Sequence, residues 1–147
     1  MSERPTVPYW HLWTGSDGIS RQQRCTMTEF ESSSIQPPAD PQWQGRSTRG
    51  EMTVMFTVLP AGWEGDWHEN PKPQWIVPLS GRWFVESMDG TRVEMGCGEI
   101  SFGADQGCRA VDGRRGHRSG TVGDVPAVLM LIQLHDPPAS GRPCAWR

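Results

Sequence analysis

With 147 residues and a net charge of −3, the chain offers no electrostatic basis for binding nucleic acid or an anionic membrane. No apolar run approaches the roughly 20 residues that span a bilayer. The opening MSERPTVPYW has neither the basic start nor the apolar stretch of a secretory signal. The expectation is one cytoplasmic domain over residues 1–147, with no nucleic-acid or membrane partner. Cys25, Cys97, Cys108 and Cys144 are scattered without a CxxC pair, and in that compartment they read as free thiols.

Gly (17), Pro (13) and Trp (8) are abundant, while Lys occurs once, at Lys72. Turn formers at short intervals between β-branched and aromatic runs point to an all-β sandwich or barrel. In chain order, a short strand is predicted around Tyr9–Trp13, then a Gly-Ser-Asp-Gly turn at 15–18 and a second strand near Cys25–Phe30. The segment 32–45, SSSIQPPADPQWQG, reads as a polar, Pro-rich loop. EMTVMFTVLP (51–60) is the first strong strand. QWIVPLSG (74–81) and RWFVESMDG (82–90) follow, with Asp89-Gly90 as a hairpin turn back into TRVEM (91–95). EISFG (99–103) is the next strand, an Arg- and Gly-rich loop runs over 104–116, and VPAVLMLIQL (125–134) is apolar enough to be covered on both faces. The N-terminal strands thus occupy about 8–30 and the core about 50–135, and the tail 137–147 is expected to be irregular and mobile.

The stretch GWEGDWHENPKPQWIVPLSG (62–81) breaks the tie between sandwich and barrel. From Gly62, five residues lead to His68, one more to Asn70, three more to Gln74 and six more to Gly81. That spacing resembles the first motif of cupins, with Asn70 in place of a His and Gln74 in place of a Glu. The second motif is looser: Gly98-Glu99 fits its start, and His117 follows nineteen residues after Gly98, across an extended loop. LWTGSDG, MDGTRVEMGCGE and GHRSGTVGDVPAV extend the likeness, in order, over about residues 10–135 to small single-domain bacterial cupins. The resemblance implies a jelly-roll barrel (a double-stranded β-helix) with a site inside it, and a homodimer; it implies no particular activity.

An intact cupin site holds a divalent transition metal (Fe, Mn, Ni, Cu or Zn) with three imidazoles and a carboxylate. The positions that match here are His68, Gln74 and His117, a weakened ligand set that also leaves a metal-free pocket open. Two-residue alternation puts Gln74, Ile76 and Pro78 on one strand face and Trp75, Val77 and Leu79 on the other. Asn70, Ile76, Phe84 and Asp105 are candidate pocket residues. Asp105 or Cys108 would supply a compensating ligand only if the 104–116 loop folds inward. Trp75 and Trp83 are expected on the outside, His11 and His135 as structural or exposed. Arg109, Arg114, Arg115 and Arg118 read as a solvated loop, with an anion clamp as the sharper alternative. The functional expectation is a small-molecule enzyme of oxygenase, lyase or isomerase type. Its catalysis would use metal, or His68 or His117 as general base. The alternative is a metal-free, non-catalytic module that binds or senses a small ligand.

Overall fold

In the computed structural model, which describes residues 3–137 and 142–147, the chain is all β. Strands β1 (Val7–Thr14), β2 (Ser20–Met27), β5 (Met52–Leu59), β6 (Gln74–Ser80), β9 (Ser101–Ala104) and β11 (Ala127–Leu134) build a mixed sheet in the order β2-β1-β9-β6-β11-β5. Its parallel pair is β1 with β9; the other pairs are antiparallel. A second, antiparallel sheet runs β10-β7-β8, from β7 (Arg82–Ser87), β8 (Arg92–Met95) and β10 (His117–Val122). A hairpin of β3 (Phe30–Ser33) and β4 (Gln42–Gly45) stands apart.

The two larger sheets face each other as a β-sandwich. Leu12, Leu59, Ile76, Ala127 and Leu129 from one meet Trp83, Val85, Val93 and Met95 from the other. Among the described residues the sheets stay separate and do not close into one barrel. The alternation read from the sequence sorts β6 correctly: Ile76 enters this core, while Trp75 packs on the opposite face of the large sheet. Trp83 differs from expectation, because it is 3% exposed and lies inside the sandwich. β11 sits between β5 and β6 and sends Leu129 to the inner core and Ile132 to the outer one, as its unbroken apolar run implied.

Three features depart from the sequence reading. The 32–45 segment ends in β4, which pairs back on β3 to form the hairpin. β10, whose sequence HRSGTV has little apolar character, forms because β7 supplies a full antiparallel register, His117 opposite Ser87 through Val122 opposite Arg82. The third departure is at the C-terminus. Cys25 and Cys144 form a disulfide, so only Cys97 and Cys108 are free, and a bridge of this kind is at odds with the reducing compartment from which free thiols were inferred.

The tail 142–147 carries no strand, yet it is fastened to the outer face of the large sheet. Trp146 packs on Trp75 and Phe102, its carbonyl accepts from the Tyr9 hydroxyl at 3.0 Å, and its N–H donates back to that oxygen at 3.2 Å. The Cys144 N–H donates to His11 Nδ1 at 3.0 Å, which requires that nitrogen to be unprotonated. Burial lowers the His11 pKa to about 4. Because the folded value lies below the ordinary 6.5, the unfolded chain binds the extra proton more readily. Stability is therefore intact above about pH 6.5 and is lost as pH falls toward about 4. Reductant and acid should loosen the same attachment. Cys144→Ser is expected to lower the unfolding free energy by about 2–5 kcal/mol. In His11→Phe the loss between about pH 6.5 and 4 should shrink. Urea titrations across pH check both.

Candidate functional site

The segment 63–69 leaves β5 and runs antiparallel along β10. Gly65 N–H donates to the Ser119 carbonyl, and His68 and His117 exchange both backbone hydrogen bonds at 2.9 Å. Directly opposed residues of an antiparallel pair project to one side, so the two imidazoles meet with ring centres 4.6 Å apart. Gly116 makes this approach possible. It holds φ +80°, and a Cβ there would lie 2.3 Å from the His68 carbonyl oxygen. The pair is asymmetric: His117 is 5% exposed, while His68 is exposed and uses Nδ1 on the Asp66 carbonyl at 2.8 Å.

Behind His117 lies Asp105, 0% exposed; it and Cys108 turn inward at the start of the 104–116 loop, while Arg109, Arg114 and Arg115 stay at the surface. Its Oδ2 accepts from His117 Nδ1–H at 2.7 Å, and its Oδ1 accepts both the Asn70 backbone N–H (2.9 Å) and the Asn70 side-chain amide (2.8 Å). Burial alone raises the Asp105 pKa. The hydrogen bond from His117, with the two from Asn70, outweighs it and holds the carboxyl below its usual value. Asp105 is thus an anion at neutral pH, and its charge dictates the orientation of every neighbour. Asn70 must offer its NH2 to Asp105, so its oxygen accepts from Gln74 Nε2 at 2.6 Å. Gln74 then accepts at Oε1 from Gln133 Nε2 at 3.0 Å. His117 must carry its proton on Nδ1, leaving a lone pair on Nε2.

The interior needs space for this chain of polar groups, and Gly103 provides it. Gly103 pairs with Gln74 across β9 and β6, and a Cβ there would sit 2.5 Å from Asn70 Nδ2 and 2.9 Å from its Cγ. Gln106 closes the other side by donating to the Asn70 carbonyl at 2.9 Å. Gly103, Gln106 and Gln133 were not singled out from the sequence. Signals exist for two of them: Gly103 is a glycine within a strand, which marks close approach, and Gln133 is the one Gln in the otherwise apolar VPAVLMLIQL.

The expected residues are thus brought together in part. Asn70, Gln74, Asp105 and His117 form one buried network, with His68 at its exposed end. Ile76 belongs to the sandwich core, and Phe84 lies on the opposite face of β7 from His117, under the Arg92 guanidinium at 3.6 Å. Cys108 is buried and donates to the Asp105 carbonyl at 3.2 Å, and burial raises its pKa. Arg118 pairs with Glu86 and Glu64, Arg114 stacks over Trp67, and Arg109 bonds the Asp17 carbonyl, which accords with a surface loop.

As placed, His68, Gln74 and His117 do not fit a three-donor metal set. Both ends of the Gln74 amide are engaged by Asn70 and Gln133, and Asn70 and Asp105 lie between Gln74 and His117 in the hydrogen-bond chain. Among the described residues no three His, Cys, Asp or Glu side chains gather at one point. Two further polar atoms, Ser101 Oγ and Trp83 Nε1, are buried without a partner among the described residues. Trp83 lies in the sandwich core, and Ser101 faces it because it pairs with Ile76.

Gly103→Ala should unseat Asn70 and cost about 1–3 kcal/mol. In an Asn70→Ala background the same change should cost little, since the two share one volume. A double-mutant cycle by chemical denaturation reads this coupling, and additive effects would contradict the arrangement.

No family model matches the chain, and no curated protein matches it. A solved structure, that of protein NMB1881 from Neisseria meningitidis, is similar at 18% identity and a TM-score of 0.45, over 66% of this chain and 89% of that one. A likeness that loose carries no argument about fold or function.

Proposed function

We propose that the chain is a small-molecule enzyme of cupin type that works by proton transfer at His117 Nε2. The observation that carries this reading is the Asp105–His117 hydrogen bond of 2.7 Å between two buried side chains. A buried carboxylate on Nδ1 fixes the tautomer and leaves Nε2 as the atom that takes a proton. His68, at the exposed end of the pair, is placed to meet the substrate or relay the proton to solvent. The substrate class that suits a single oriented imidazole is a small carbonyl compound or acid with a removable proton beside the carbonyl, as in isomerase or lyase chemistry. A metal-dependent version would require Gln74 to give up one of its two amide partners.

The second reading, a ligand-binding module without catalysis, separates from the first by isotope exchange. Incubated in D2O with a panel of 2-oxo acids and hydroxyketones, the protein should accelerate exchange of the α-protons of at least one compound. His117→Gln should slow that exchange about 100-fold, the usual scale for a general base. No acceleration across the panel, or an equally active His117→Gln protein, would leave only the binding module.

A homodimer is the assembly we propose. Val54 (56% exposed), Phe56 (67%) and Val58 (58%) line one face of β5, which is an edge of the large sheet. An apolar edge strand of this kind is stable when a second copy covers it. Sedimentation velocity should find a dimer that Phe56→Glu converts to monomer.

A further inference from the structure

A cavity of about 660 Å3 lies on the other side of the large sheet from the Asp105–His117 network. Its floor is the outer face of that sheet, where Val7, His11 and Trp13 of β1 alternate with the core-facing Trp10 and Leu12, and Phe102 and Ala104 of β9 alternate with Ser101 and Gly103. The β3–β4 hairpin supplies one wall through Phe30, Gly45 and Arg46, and the C-terminal tail supplies another through Trp146 and Arg147. The tail wall is built to stay in place, since the Cys25–Cys144 disulfide and the reciprocal Tyr9–Trp146 hydrogen bonds hold it to the sheet.

Volume, lining and charge together define a ligand. Small-molecule sites occupy about 300–1,000 Å3 and are mostly apolar with a few polar groups. Here the described lining is dominated by Val7, Met27, Phe30, Phe102 and Trp146. Its charged side chains are all arginines, Arg46, Arg142 and Arg147, with no Asp or Glu among the described lining residues. Arg46, its side chain 73% exposed, pairs with Glu29 at the hairpin wall. Trp13 Nε1 is buried without a partner among the described residues, a donor with nothing to donate to. We propose that this cavity is a binding site for a single-chain amphiphile with an anionic head, of the medium-chain carboxylate kind. Its chain lies on the Phe102–Trp146 floor and its carboxylate is held by arginine, whose planar fork matches that group.

Decanoate, kept below its micelle concentration, is the probe, with decanol as the uncharged control. Calorimetry together with tryptophan fluorescence, which Trp13 and Trp146 should report, reads binding. Decanoate should bind with a Kd below about 1 mM and decanol about tenfold more weakly or worse. Ala104→Phe, which fills the floor, should abolish binding in a protein whose circular dichroism is unchanged; should that variant fail to fold, Phe30→Glu places a repelling carboxylate in the hairpin wall. His117→Gln should bind decanoate as the parent does, since that residue lies across the sheet. Absence of decanoate binding, equal affinity for decanol, or binding unaffected by a folded lining variant would each overturn the assignment. A loss of isotope exchange in His117→Gln with decanoate binding intact keeps the two sites distinct.

Discussion

A carboxylate with no exposed surface dominates the interior of this protein. A lone ionised group in that position would be strongly destabilising, so its surroundings must supply hydrogen-bond donors. Asp105 obtains three, from the Asn70 backbone, the Asn70 amide and His117 Nδ1. The donors come from two parts of the chain, Asn70 from the segment laid along β10 and His117 from β10, while Asp105 begins the loop after β9. One buried anion thereby fixes where two loops lie, which tautomer His117 adopts and which way three successive amides point.

The same network explains residues that look unremarkable alone. Gly103 lacks a side chain because Asn70 occupies the space. Gln133 interrupts an apolar strand because Gln74 needs a donor. Replacing any one member leaves a buried polar group unsatisfied, which costs more than the bond itself contributes. The chemistry follows from the electrostatics: a histidine whose Nδ1 is bound to a buried anion has one free basic atom, and it lies next to an exposed second histidine.

The large sheet serves two cores. Its inner face packs on the three-stranded sheet and carries the Asp105 network; its outer face packs under the tail, around Phe102, Trp75 and Trp146. A period of two along β1 and β9 sends adjacent residues to opposite functions, so Phe102 borders the outer cavity while Ser101 and Gly103 face the interior.

Much of this was legible in the sequence. The alternating or continuous apolar runs of β5, β6, β7 and β11 gave strands close to those observed, and the spacing from Gly62 to Gly81 brought His68, Asn70 and Gln74 to one end of the interior. Asp105 reads from the sequence as a pocket residue and an optional ligand; its hydrogen bonds to Asn70 and His117 depend on the pairing of distant segments. The parts that stayed hidden depend on distant pairing. β10 has no apolar pattern of its own and exists through its register with β7. The β3–β4 hairpin is polar on both strands. The disulfide joins residues 119 apart in sequence, which no local pattern announces, and it converts a tail expected to be loose into a wall.

The central claim is that the Asp105 anion fixes His117 as a base with its proton on Nδ1. Long-range 15N–1H correlation spectra of the imidazole rings at neutral pH test it directly. The account predicts that the neutral form of the His117 ring carries its proton on Nδ1 and none on Nε2, and that Asp105→Asn abolishes this preference. A His117 protonated on Nε2, or one whose tautomer is unchanged in a folded Asp105→Asn protein, would contradict it.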